Sequence, residues 1–385
     1  MKAKVKRTPK PIGEVESLKQ LNLNAAGLDI SAEEIYACVP AGRDKETVRS
    51  FKSFSAELRA LAERLRACGV TTVARESTGV YWIPVYEILA AAGFELYLVN
   101  ARPIKNVSGR KSDVLDCPWI QQLHTYGLLR GSFRPDEAVC GLRELIRQRD
   151  MLISYRSSHI QHMQKALEQM NLKRTTVVSA STGVTGLTLI RAILAGERNP
   201  QTLAAYRHPS CAHSEPEIAK ALDGNYRAEH LFTLKQAVEL YAFYTVQIQT
   251  CDEVIEAKYS DFTPPTTLEQ TPLPPPRIRE RPGKGNTPTF DLRLHLYQIA
   301  GVDLTQIDGV NVLTAQKMIS EIGLDMSKWP TVKHFTSWLN LCPNNQITGG
   351  KIIRRERKKI HNHAAQALSM AAQSLNRSQS ALGAF

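Results

Sequence analysis

Four carboxylates are spaced so that they could act on one substrate together. Asp29 falls within the strand-like run Gly27-Leu28-Asp29-Ile30, where a buried strand asks for an apolar residue. Glu76 closes a second such run, Ala74-Arg75-Glu76, just before the turn residues Ser77-Thr78-Gly79. Asp113 and Asp116 lie three apart at the start of a predicted helix, a spacing that sets both on one face with Cβ atoms about 5–6 Å apart. Each acid alone has an ordinary explanation: Asp113 suits a helix N-cap and Glu76 a surface charge. Jointly they form an oxygen-rich set able to hold Mg²⁺, or Mn²⁺ in its place. Two such hard cations stabilise the attacking and leaving oxygens of phosphodiester cleavage. Lys105, Arg110 and Lys111, just ahead of Asp113, add a basic lip suited to a nucleic-acid backbone.

The elements that must position these acids follow from periodicity. Ala25–Ile30 and Ile35–Val39 read as a strand pair, 56–68 as a helix, 71–75 as a strand, 80–92 as a helix, 94–99 as a strand and 113–126 as a helix. That order predicts a mixed α/β domain over 25–130, preceded by a mobile basic arm at 1–24. From 136 to 262 the pattern turns helical. Long apolar stripes in 136–173 and 229–259 predict an antiparallel coiled-coil pair used for self-association to a dimer or tetramer, joined by a helical insert at 184–224. Residues 263–289 are rich in proline and arginine, the composition of a stiff basic linker. In the remaining segment, 290–385, Gly301 to Gly323 reads helix, turn, helix, a helix-hairpin-helix-like piece whose Gly309 turn suits either backbone phosphate contacts or helix termination.

Composition narrows the partner. Lys and Arg number 49 against 37 Asp and Glu, a formal charge of +12, which favours a polyanion such as nucleic acid. Seven scattered cysteines without a C-x-x-C pair give no zinc or disulfide pattern and read as reduced core thiols. No signal peptide or membrane span is evident, so a cytoplasmic protein is expected. Near the C-terminus, Lys351, Arg354, Arg355, Arg357, Lys358 and Lys359 form a run dense enough to follow a phosphate backbone, and the neighbouring His361 and His363 lack the acidic or thiol partners of a metal site.

Four strings, Gly-Leu-Asp-Ile-Ser (27–31), Glu-Ser-Thr-Gly-Val-Tyr-Trp (76–82), Gly-Arg-Lys-Ser-Asp-Val-Leu-Asp (109–116) and Leu-Cys-Pro-Asn-Asn-Gln-Ile-Thr-Gly-Gly-Lys (341–351), together resemble the DEDD transposases. The chain is similar to the insertion-sequence "one-ten" family, nearest its "eleven-eleven" branch, and to the related pilin-gene invertase. The resemblance implies an RNase H/RuvC-like N-terminal domain, a coiled-coil middle and a mainly α C-terminal transposase domain. It further implies a structured bridge RNA pairing with donor and target DNA. Asp29, Glu76, Asp113 and Asp116 fall on the family's acidic, Mg²⁺-binding positions. Thr348 takes the place of a catalytic serine proposed to attack DNA, and its extra methyl restricts χ1 and crowds an in-line approach. Two rivals stay open: a RuvC-like nuclease using water, and a non-catalytic RNA- and DNA-binding relative.

The basic run makes a first prediction. Replacing Arg354, Arg355, Lys358 and Lys359 by Ala weakens nucleic-acid binding and flattens the dependence of log affinity on log salt by about 0.9 for each phosphate that is no longer neutralised. An unchanged slope means that the run faces solvent.

Overall fold

The computed structural model describes residues 19–76, 79–99, 116–129, 131–172, 183–209, 211, 213–263, 272–277, 282–283, 285–343, 345–349, 351–354, 360 and 362–384. Asp113, Lys105, Arg110, Lys111, Arg355, Lys358 and Lys359 lie outside them. The chain divides into two compact units, Met1–Arg134 and Pro135–Phe385. No described helix is long and apolar enough to cross a membrane.

The first unit is a mixed sheet of five strands, β1 (Ala25–Ile30), β2 (Glu34–Cys38), β3 (Val48–Lys52), β4 (Thr72–Glu76) and β5 (Glu95–Val99), in the order β3-β2-β1-β4-β5. β1, β2 and β3 form an antiparallel meander, while β4 and β5 run parallel to β1. The helices α1 (Ser55–Ala67) and α2 (Trp82–Ala91) cover one face. Their Leu58, Leu61, Leu65, Val85 and Leu89 close over Ala26, Leu28, Ile35 and Val73 in one core. A third helix, α3 (Asp116–Thr125), lies on the other face. This sheet with helices on both sides is compatible with an RNase H-like domain.

Two corrections concern the ends of this unit. β3 has no counterpart among the strands expected from periodicity, because Val-Arg-Ser-Phe-Lys is a short edge strand that buries only Phe51. Nor does all of the basic arm run free: the amides of Leu21 and Asn22 donate to the Thr125 carbonyl at 2.8 and 3.0 Å, and Asn22 Nδ2 donates to that of His124 at 2.8 Å. The last carbonyls of α3 need donors, and this segment supplies them.

In the second unit, two long helices, α4 (Glu137–Gln169) and α8 (Ala228–Lys258), pack side by side. Gly141 meets Lys258, Arg149 meets Asp252 and Tyr155 meets Tyr244, so the helices run antiparallel. Asp136 caps α4 by accepting from the Val139 amide at 2.8 Å. At one end the pair packs on the small helices α5 (Val184–Leu194), α6 (Pro200–Ala205) and α7 (Glu215–Ala221) through Met163, Leu167, Leu189, Ile193, Leu203 and Leu234. At the other end Val139, Leu142, Ile146 and Ile255 join a core with α9 (Leu292–Ala300) and α10 (Val312–Ile322). α11 (Val332–Trp338), the hairpin β6 (Gln346–Thr348) and β7 (Lys351–Arg354), and the helices α12 (His363–Ser374) and α13 (Ala381–Ala384) follow.

The proline-rich segment is anchored where it is described. Arg293 donates to the Pro274 carbonyl at 2.6 Å, Gln306 to that of Pro275 at 3.2 Å, and Arg277 pairs with Asp308 at 2.6 Å. Proline carbonyls keep their acceptor strength without a strand partner, so arginine and glutamine can bind them. Gly309, in left-handed conformation, is required by packing: a Cβ there would stand 2.7 Å from the Ala371 carbonyl. The cysteines are not all core thiols. Cys38, Cys68, Cys117 and Cys251 are buried, Cys140 and Cys211 half-buried, and Cys342 exposed.

Arg149 and Asp252 form an ion pair with both side chains 4% exposed, and Arg149 also donates to the Asn286 carbonyl at 2.8 Å. Asp252→Ala therefore leaves a buried guanidinium without its counter-charge and destabilises the second unit by about 3–5 kcal/mol. Replacing both partners, Arg149→Met with Asp252→Leu, recovers most of that loss in denaturant unfolding. Equal stability of the single variant and the parent would remove the pair from any role in holding the helices together.

Candidate functional site

Strand register brings the first two acids together. Leu28 of β1 pairs with Arg75 of β4, so the next residues, Asp29 and Glu76, come side by side at the C-terminal ends of two parallel strands about 4.8 Å apart. Alternation puts Gly27 and Asp29 on one face of β1, and Thr72, Ala74 and Glu76 on the same face of β4. That is the face covered by α3.

The third acid arrives with the helix. A Cβ on Gly27 would lie 2.3 Å from the Cys117 carbonyl and 2.4 Å from the Gln121 amide, so the backbone of α3 rests directly on this glycine. Further along, Gln121 Nε2 donates to the Ala25 carbonyl at 3.3 Å, and the His124 ring bonds the Thr72 hydroxyl at 2.9 Å while lying 4.7 Å from the Tyr97 ring. The helix thus runs against β1, with its first residue, Asp116, toward Asp29. Asp29, Glu76 and Asp116 are all half-buried, open enough to meet a ligand.

The thiol of Cys117 registers the charge at this end of the helix. Burial pushes it up to about 12, and Cys38, Asp29 and Asp116 add to the rise. Cys117 is wholly buried, so its sulfur is out of reach of a ligand that enters from solvent. The donors left are hard carboxylate oxygens. Among the described residues no group of three or more His, Cys, Asp or Glu side chains is gathered closely enough to hold an ion, and the fourth acid, Asp113, lies outside them.

Thr348 lies in the second unit. It ends β6 and pairs with Lys351, the first residue of β7, with only residues 349 and 350 between them. Gly349 takes a positive φ of 56°, as tight hairpin turns require. Thr348, Lys351 and Arg354 are exposed, and so are Ile352 and Ile353 between the two cations. In the sequence this stretch stands out as a basic run and, over 341–351, as a family-like string, but not as a hairpin. Gly-Gly between β-prone residues was the available hairpin signal. Arg75, between Ala74 and Glu76, gives no signal of its own there, yet it is the largest wholly buried side chain of the described residues.

Residues 26–172 match a family model described as a transposase, of the DEDD type, and residues 303–385 match one described as "Transposase IS116/IS110/IS902 family". The chain is thus a transposase by both its acidic domain and its C-terminal segment. It belongs to the IS110 family. No curated protein matches it.

His124 gives the site a pH signature. Burial lowers the pKa of its ring below the ordinary histidine value, with Glu95 opposing. Below about pH 6.5 the unfolded chain takes up a proton that the folded ring resists, so this contribution is fully present above that pH and is lost as pH falls. His124→Gln, which keeps a polar partner for Thr72 but does not titrate, shows a shallower loss of stability between pH 7 and 5 than the parent. Parallel curves would mean that the ring is protonated in place.

Proposed function

We propose that this chain is the recombinase of an insertion sequence, which cuts and exchanges strands of donor and target DNA under the direction of a structured bridge RNA. What supports the reading most is the convergence of Asp29, Glu76 and the start of α3 at one end of the sheet, in a chain of a DEDD transposase family. The net charge of +12 suits two polyanionic partners at once.

The acidic side chains present fit Mg²⁺, or Mn²⁺, because they offer oxygen alone. Asp29, Glu76, Asp113 and Asp116 would hold it. When bound, such ions neutralise charge on the attacking and leaving oxygens of an in-line displacement. The chain's own contribution is position. The register of β1 with β4 fixes two carboxylates relative to each other, and Gly27 fixes the helix that carries the third.

In this reading Thr348 Oγ1 supplies the nucleophile. It bonds to phosphorus as the bond from phosphorus to the departing sugar oxygen breaks. The hydroxyl proton passes to solvent, and the departing oxygen is released as a hydroxyl. A hairpin tip is a suitable carrier, since it extends a hydroxyl clear of its own fold. Lys351 and Arg354 on the next strand, with Arg355, Lys358 and Lys359 beyond, hold the flanking phosphates. The antiparallel helices α4 and α8 mediate assembly to a dimer or tetramer.

Thr348→Ala eliminates cleavage, and Thr348→Ser, which frees χ1, raises it. Denaturing gels show a covalent protein–DNA adduct that requires the divalent ion and is absent from Asp29→Asn and Asp113→Asn, although both variants still bind nucleic acid. Cleavage by Thr348→Ala at the parental rate assigns the attack to water and replaces this reading with a RuvC-like nuclease. Full recombination by Asp29→Asn removes the acidic site from the mechanism.

A further inference from the structure

Arg75 has no part in the proposed chemistry, and its charge meets no carboxylate among the described residues. It precedes Glu76 in β4 and therefore points to the other face of the sheet, under α2. The residue is 0% exposed. Its Nη1 donates to the Trp82 carbonyl at 2.7 Å, while Nε and Nη2, equally buried, have no hydrogen-bond partner. The guanidinium carbon lies 4.7 Å from the centre of the Trp82 ring and 5.3 Å from that of Tyr86.

The same two rings carry a second cation. The guanidinium of Arg134 stands 4.1 Å from the Tyr86 ring centre and 6.0 Å from that of Trp82, and it pairs with no carboxylate among the described residues. Cation–π contacts offset only a fraction of what it costs to take a guanidinium out of water. Two like charges on one aromatic pair also repel. Burial, with Arg134 adding to it, brings Arg75 down to about 9, so it still carries its charge at neutral pH.

Among the described residues, a buried guanidinium without a counter-charge beside a second one makes half of a charge pair. The missing half is an anion. Its shape is set by what faces inward: a planar fork of N–H donors, which matches the oxygens of a phosphate. The hydrogen bond to Trp82 holds that fork against the first turn of α2, whose N-cap residue Tyr81 supplies no side-chain acceptor, and the positive end of that ten-residue helix favours the same ligand.

We propose that Arg75 and Arg134, bracketed by Trp82 and Tyr86, form a receptor for one backbone phosphate of a DNA strand that crosses the end of the sheet at Glu76. Arg134 and Trp82 are half-buried and move aside to admit it, bringing Arg75 into contact. Assigning the phosphate to DNA rests on the recombinase reading, whereas the anion receptor itself does not. In function it holds the strand beside the acidic end of the sheet, as a positioning device.

Thermal unfolding of the full chain, freed of nucleic acid, tests the receptor without any activity assay. Inorganic phosphate is compared with chloride at matched ionic strength. The parent gains roughly 3–5 °C at tenfold over the dissociation constant. Arg134→Met keeps its midpoint in chloride and loses that gain. Arg75→Met, with an apolar chain in place of an unpaired charge, keeps or raises its midpoint in chloride and is also insensitive to phosphate. Equal midpoints for the parent in both anions overturn the proposal, as does a phosphate response in Arg134→Met equal to that of the parent.

The source of the phosphate is read from binding of single-stranded DNA and RNA oligonucleotides against salt. Arg134→Met flattens the DNA slope by about 0.7, the share of one neutralised phosphate, and leaves that of RNA unchanged. A loss confined to RNA overturns the DNA assignment. Failure of the recombinase reading appears separately, as strand exchange by Asp29→Asn, and leaves the midpoint shifts where they are.

Discussion

The acidic face of the first unit is organised around a side chain that is absent. Gly27 sits midway along the central strand, and the backbone of α3 occupies the space that any Cβ there would fill. So close an approach of a helix to a sheet needs a residue without a side chain at the contact, because any Cβ at this point would run into the helix backbone. Here the approach is secured along the helix by Gln121, by His124 and by the amides of Leu21 and Asn22 at its far end. Every one of these contacts fixes Asp116 relative to Asp29. Displacements of an ångström at a reacting centre cost orders of magnitude in rate. If the acids act as proposed, a glycine that carries no reacting group sets their geometry.

The two faces of β4 divide two kinds of charge. Thr72, Ala74 and Glu76 look toward α3 and the acids, whereas Val73 and Arg75 look toward α1 and α2. Consecutive residues thus carry an acid and a buried base to opposite sides of one strand end. A polyanionic strand passing that edge meets attraction for its phosphate on one side and, on the other, carboxylates that repel it unless a cation intervenes. In the proposed function, such an arrangement would make productive approach depend on the metal.

Much of this was legible in the sequence, and the reasons are specific. Asp29 and Glu76 stood out because an acid in a strand pattern breaks a strong periodic expectation. The long helices α4 and α8 were evident from their repeated apolar stripe. The features not legible there lack a local signal. β3 buries one residue, so nothing alternates. Gly27 reads as one more small residue in Ala-Ala-Gly, and only the helix resting on it reveals its purpose. Arg75 looks like an ordinary charge at a strand end until the aromatic rings of α2 enclose it. The anchoring of Pro274 and Pro275 is likewise tertiary, since the arginine and glutamine that hold them come from some twenty or thirty residues further on.

The helix pair in the second unit has an implication for how chains of this kind can vary in length. α4 is about 50 Å long at 1.5 Å per residue, and it is pinned to α8 by a buried ion pair partway along and by separate cores at its two ends. One residue inserted into either helix alone turns everything beyond it by about 100° and carries the apolar stripe out of the seam. Length can therefore change only as a matched edit: both helices gain or lose the same number of residues, in steps near a whole number of turns. The pair is a ruler whose two edges must be recut together.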